Sequence, residues 1–124
     1  LNTSSHVKSI VWVASSRSDL KAFPAEVQKS IGYALYQAQK GFKAPTAKPL
    51  RGFGGAGVLE IVEDFQTNTY RAVYTLKLGD SVYVLHAFQK KSKNGRATPK
   101  PDIDLIKRRL KAAENTTVAR GHDK

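Results

Sequence analysis

The sequence predicts a single α+β domain: a small, antiparallel-dominated sheet in the order strand, helix, helix, strand, strand, strand, helix, with the helices packed on it. Three observations carry this expectation. Short β-branched apolar runs are interspersed with stretches of helical period. The last three strand-like runs follow one another without an intervening helix, which implies an antiparallel meander. A chain of 124 residues that is 40% hydrophobic can build one core but not two ordinary domains.

Taken in order, the apolar run Val7 to Ala14 opens the domain as a strand expected to be buried on both faces. Ser15 and Ser16 offer an N-cap, and Ser16-Arg17-Ser18-Asp19 resembles a capping box for a short helix ending near Phe23. Pro24 restarts the chain. Val27, Ile31, Ala34, Leu35 and Ala38 then recur with a 3.6-residue period, and Gly41 is placed to terminate that helix. Lys43 to Pro49 reads as a loop. Leu50 to Gly57 is glycine-rich but feeds a strand, Val58 to Val62, and lacks the Gly-Lys-Ser/Thr ending of a phosphate-binding loop, so it reads as a flexible turn.

Tyr70 to Lys77 and Ser81 to Gln89 are strands joined by Leu78-Gly79-Asp80 in a hairpin. A basic loop, Lys90 to Arg96, leads to Thr98-Pro99, with Thr98 as cap and Pro99 inside the first turn of the last helix. Ile103, Ile106, Leu110 and Ala113 form its apolar stripe. From about Asn115 the periodicity stops, so the ordered core is expected over about residues 7–113 with mobile tails.

Twenty-one Lys and Arg against ten Asp and Glu give a net charge of +11. Residues 90–124 hold eleven of those cations and four acids. Such a field attracts polyanions, nucleic acid first among them; a membrane surface or an acidic protein would also satisfy it. There is no cysteine, hence no disulfide and no thiol nucleophile. No apolar run approaches the roughly 20 residues of a membrane span. Leu1 to Ser5 lacks the apolar segment of a secretory leader, which argues for a cytoplasmic protein. The absence of methionine suggests a start after the initiator. His6, His86 and His122 are scattered, with no ligand spacing around them, so neither metal nor other cofactor is expected. The two N-terminal helices show no helix-turn-helix spacing, which argues against a transcription factor.

Three motifs add a resemblance. Tyr70-Arg71-Ala72-Val73-Tyr74, the strand end Leu85-His86-Ala87-Phe88-Gln89-Lys90-Lys91 followed by Thr98-Pro99, and Pro49-Leu50-Arg51-Gly52 resemble the RelE/HigB superfamily of toxins from bacterial toxin–antitoxin pairs, specifically its phage-derived HigB-like branch. The match spans about Val7 to Ala113. It implies a RelE-like fold and a ribosome-dependent endoribonuclease that cuts mRNA in the A site and is restrained by a cognate antitoxin. It further implies metal-independent attack of the ribose 2′-OH on its own phosphate. That chemistry needs a proton acceptor, cations for the phosphate and a donor for the leaving oxygen.

The resemblance makes Arg71, Lys90, Lys91 and His86 the candidate catalytic residues, and Arg51, Lys48, Lys93 and Arg96 the candidate RNA-binding ones. Each has a plainer reading. Arg71 suits a phosphate clamp, or it faces solvent or pairs with Glu60 or Glu63 on a neighbouring strand. Alternation sends Lys90 and Lys91 to opposite faces, so one reaches substrate or both are a solvated strand end. His86, sharing a strand face with Val84 and Phe88, is a proton-transfer group or a packed, hydrogen-bonded one. Arg51 touches RNA backbone or solvent. Tyr74, Tyr83, Phe88 and Trp12 are expected in the core rather than stacked on a base. Val62 stands where related toxins often have arginine. The alternative to the enzyme is a noncatalytic basic module, on the same scaffold, that binds RNA or protein.

Overall fold

Turn chemistry and strand register fix the architecture. The computed structural model describes residues 7–54, 57–90 and 97–122, with side chains up to 116. In chain order the elements are β1 (Ser9–Trp12), α1 (Ser16–Lys21), α2 (Ala25–Gln39), β2 (Ala47–Pro49), β3 (Val58–Phe65), β4 (Asn68–Thr75), β5 (Ser81–Lys90) and α3 (Lys100–His122). They form a five-stranded sheet in the order β1-β5-β4-β3-β2. Gln66, at φ 58°, turns β3 into β4, and Gly79, at φ 70°, turns β4 into β5. The meander β3-β4-β5 is antiparallel, as its sequence predicts.

Both sheet edges differ from expectation. β1 is shorter than Val7–Ala14 and only partly buried, because it is an edge strand. It runs parallel to β5, with Ser9 opposite Ser81 and Trp12 opposite Val84. At the other edge the expected loop before the glycine-rich turn contains β2, paired antiparallel with β3 from Ala47/Ile61 to Pro49/Leu59. An edge position tolerates Pro49, which cannot donate to a ladder.

Two cores lie on the two faces of the sheet. On one, all five predicted α2 positions, Val27, Ile31, Ala34, Leu35 and Ala38, are buried against Ile61, Ala72, Tyr74, Val82 and Val84. On the other, Val58, Val73, Tyr83 and Leu85 meet Ile106 and Ala113 of α3, with Ile103 and Leu110 packed at the margin. The ladder between β4 and β5 is interrupted. Val73 faces His86 whereas Tyr74 faces Val84, so Leu85 is an extra residue, a β-bulge. The bulge changes the phase of β5: Val84 and Ala87 join the α2 side, and Leu85 and Phe88 the α3 side. His86 therefore parts from Val84, contrary to strict alternation, and reaches Asp102 on α3.

Of the three helix starts and ends that the sequence marks, two stand where expected and one does not. Ser15, one of the two serines that the sequence offers, stands at the α1 N-cap, but the box from Ser16 to Asp19 does not form: the Ser15 hydroxyl donates to the Asp19 carboxylate at 2.8 Å. Gly41, at φ 91°, does end α2, in a Schellman arrangement: its N–H donates to Ala38 O at 3.0 Å and Phe42 N–H to Gln37 O at 2.8 Å. Thr98 does not cap α3. The Pro99 carbonyl accepts from Asp102 and Ile103 N–H, both at 3.0 Å, and the Thr98 hydroxyl points elsewhere. α3 continues past Asn115 to His122, where the loss of periodicity predicts a mobile tail. Among the described residues no helix is long and apolar enough to cross a membrane.

Candidate functional site

Strand register brings three charged side chains together on the α3 face. Glu60 is paired with Val73 and Arg71 with Phe88, which makes Glu60, Arg71 and Lys90 successive diagonal neighbours across β3, β4 and β5. All three are buried, with relative exposures of 2%, 4% and 7%. Buried charges require partners. Arg71 Nη1 donates to both Glu60 oxygens at 3.3 Å and to Thr98 Oγ1 at 3.2 Å, and Thr98 Oγ1 donates to Glu60 Oε2 at 2.7 Å. Arg71 Nε has no acceptor among the described residues. Lys90 Nζ donates to the Ala97 carbonyl at 2.8 Å. Burial above all, and the nearby Arg71 charge, pull its pKa below the ordinary lysine value, against a smaller opposing pull from Glu60.

The Glu60 end of this cluster opens onto a cleft of about 590 Å³. Glu60, Thr98, Ala97 and Ile103 line one side, and Lys48 to Gly52 line the other. The second wall is held to the sheet by the Leu50 N–H, which donates to Val58 O at 2.9 Å. Gly52 and Gly54, at φ 94° and 55°, then bend the chain away through conformations that side chains resist. Lys48 and Arg51 are exposed on the rim. The cleft thus has a cationic rim and a single lining carboxylate, Glu60, to which the buried Arg71 is paired.

His86 is buried beside this cluster. Its Nε2 is 2.8 Å from Asp102 Oδ1, its Nδ1 is 3.5 Å from Arg109 Nη1, and its ring stacks on Phe88 at 4.7 Å. Arg109 also donates to the bulge carbonyl of Leu85 at 2.9 Å and to Ser15 Oγ at 3.1 Å. A neutral ring with its proton on Nε2 satisfies both neighbours. The network ties α3 to β5 and to the start of α1.

Of the residues singled out from sequence, Arg71 and Lys90 come together, His86 lies on the same face, and Lys48 and Arg51 line the cleft. Lys91, Lys93 and Arg96 lie outside the described residues. Tyr74 and Tyr83 are buried, Phe88 and Trp12 partly so. The sequence marks Glu60 only as a partner for Arg71; its period-two spacing with Val58 is the signal that it faces inward. Thr98, whose position suggests a cap, and Asp102 and Arg109 give no comparable signal. Among the described residues no three His, Asp or Glu side chains gather as a metal-ligand set.

These features define a class: a small, strongly basic α+β domain with a charged cleft on one face of an open sheet. The chain matches the family described as Phage derived protein Gp49-like (DUF891) over residues 18–111, most of its length, and belongs to that family. The family is associated with RelE-like toxins of toxin–antitoxin systems. A comparison with curated proteins finds no match.

Proposed function

We propose that this chain is the toxin of a phage-derived toxin–antitoxin pair and acts in the cytoplasm as a ribosome-dependent endoribonuclease on mRNA, restrained by a cognate antitoxin. The observation that carries the reading is the buried Glu60–Arg71 pair, with Lys90 as the next diagonal neighbour and the Glu60 carboxylate lining the cleft, in a chain of the Gp49-like family. Glu60 is the acid of the cleft lining and takes the proton of the ribose 2′-OH as its oxygen bonds to phosphorus. Arg71 then exchanges its pairing with Glu60 for the non-bridging phosphate oxygens, which gain charge in the transition state. Lys90, its pKa lowered by burial, gives a proton to the departing 5′ oxygen as the P–O bond breaks, leaving a cyclic phosphate and a 5′-OH. Lys48 and Arg51, with Lys91, Lys93 and Arg96 of the basic loop, hold the RNA backbone. His86, engaged by Asp102, keeps α3 against β5.

The burial of Arg71 and its tie to Glu60 favour a second reading, a noncatalytic basic module whose Arg71–Glu60 pair is structural. Inducible expression of the wild type and of Arg71→Ala in bacteria, with mapping of cellular mRNA 5′ ends, separates the two. The enzyme gives growth arrest and new in-frame cuts that the folded variant lacks. A well-expressed wild type that yields neither arrest nor cuts overturns the nuclease reading.

A further inference from the structure

On the face of the sheet opposite the cleft, α2 presents an aromatic side that the core does not use. Tyr33 and Tyr36 are 62% and 46% exposed, and Phe42, just beyond the helix, is 61% exposed. With α2 turning 3.6 residues per turn, Lys29, Gly32, Tyr33, Tyr36 and Lys40 share one outer face, opposite the buried stripe from Val27 to Ala38. Lys40 Nζ lies 4.7 Å from the Tyr36 ring centre and 5.9 Å from that of Phe42, so a cation and two rings form one patch.

Gly32 is the unexplained member of that face. It sits inside the helix, where glycine is unfavourable relative to alanine. A Cβ there would meet nothing within 4 Å, and its backbone does not require glycine. The result is a bare notch one turn from both Lys29 and Tyr36. Beside it a hollow of about 390 Å³ opens between Tyr33 and the Ala44–Thr46 segment.

We infer that the outer face of α2 docks an acidic, amphipathic helical segment of a protein partner. The partner's apolar side chains cover Tyr33, Tyr36 and Phe42, its backbone approaches closely over Gly32, and its carboxylates pair with Lys29 and Lys40. Those two lysines are about three turns apart, roughly 16 Å along the helix, which suits a partner helix lying along α2. The exposed Lys29 and Lys40 at the two ends of this face, in a chain of net +11, make it complementary to an acidic partner. Glu26 on the flank and Glu63 in the hollow mark where that partner carries no acid. Single-stranded RNA would use the rings and lysines but gains nothing from a notch that admits a second backbone. The inference does not rest on the reading of the cleft, which is on the other face.

The test uses the full chain and a fluorescein-labelled synthetic helix-forming peptide of about 16 residues, long enough to span the two lysines, with a leucine face flanked by glutamates. Comparators are the same peptide with lysine for glutamate and a labelled oligouridylate. Binding is read by fluorescence anisotropy for the wild type, Gly32→Gln and Tyr36→Ser. The acidic peptide is expected to bind more tightly than the basic one and to weaken about tenfold or more in both variants. Oligouridylate binding stays unchanged, and Gly32→Gln melts above the wild type, which excludes misfolding as the cause. Equal binding of the two peptides, or unchanged acidic-peptide affinity in the variants, overturns the inference. Loss of oligouridylate binding alone assigns the face to RNA and overturns it equally.

Discussion

Arg71 is held by a neighbour whose removal costs more than the pair itself contributes. Glu60→Ala leaves the guanidinium buried without its counter-charge, and breaking such a pair costs about 3–5 kcal/mol. Urea denaturation should show that loss, and the double variant Glu60→Leu with Arg71→Met should recover most of it, because two apolar side chains need no partner. Lys90 makes a separate prediction with a definite sign. Its folded pKa lies below the unfolded value of 10.5, so between the two the unfolded chain holds the extra proton and stability rises with pH. Lys90→Met should flatten that rise in denaturation curves taken as the pH approaches 10.5 from below.

At the scale of the element, two glycines are expected to respond in opposite directions. Gly57 has φ 72°, and a Cβ there would lie 2.6 Å from Lys77 Cγ, so Gly57→Ala should destabilise by about 1–2 kcal/mol. Gly32→Ala should stabilise by about 1 kcal/mol, since the helix gains and nothing clashes. Thermal melts of the two variants check both. Elements built from local signals are legible in the sequence: the α2 stripe, its Gly41 terminus and the Gly79 hairpin each depend on residues a few positions apart. Elements that depend on distant partners are not. β2 is three residues containing a proline and is a strand because β3 offers it an edge. The parallel pairing of β1, and the bulge at Leu85, are set by chain far away in sequence. The site divides in the same way. Arg71 and its acidic neighbour can be read from their strands, but the Thr98 hydroxyl, a plausible local cap, is claimed by Glu60, 38 residues distant.

Over the whole molecule, the sheet separates a charged cleft on the α3 side from an aromatic patch on the α2 side, within a field of net +11. RNA affinity should fall linearly with log salt, and replacing Lys48 and Arg51 by alanine should reduce the slope by roughly 0.7 for each single-strand phosphate that those side chains neutralise. Titrations of labelled RNA across a salt series measure it. Removing the patch residues should leave that slope unchanged. The bulge also decides how the length of this chain can change. Leu85 is the one supernumerary residue in the pairing of β5 with β4, so excising it restores a regular ladder and leaves His86 and Lys90 facing α3. Losing a residue between Phe88 and Lys90 would instead turn Lys90 toward α2. β5 therefore contains one position where a single-residue deletion spares the site and neighbouring positions where the same deletion dismantles it.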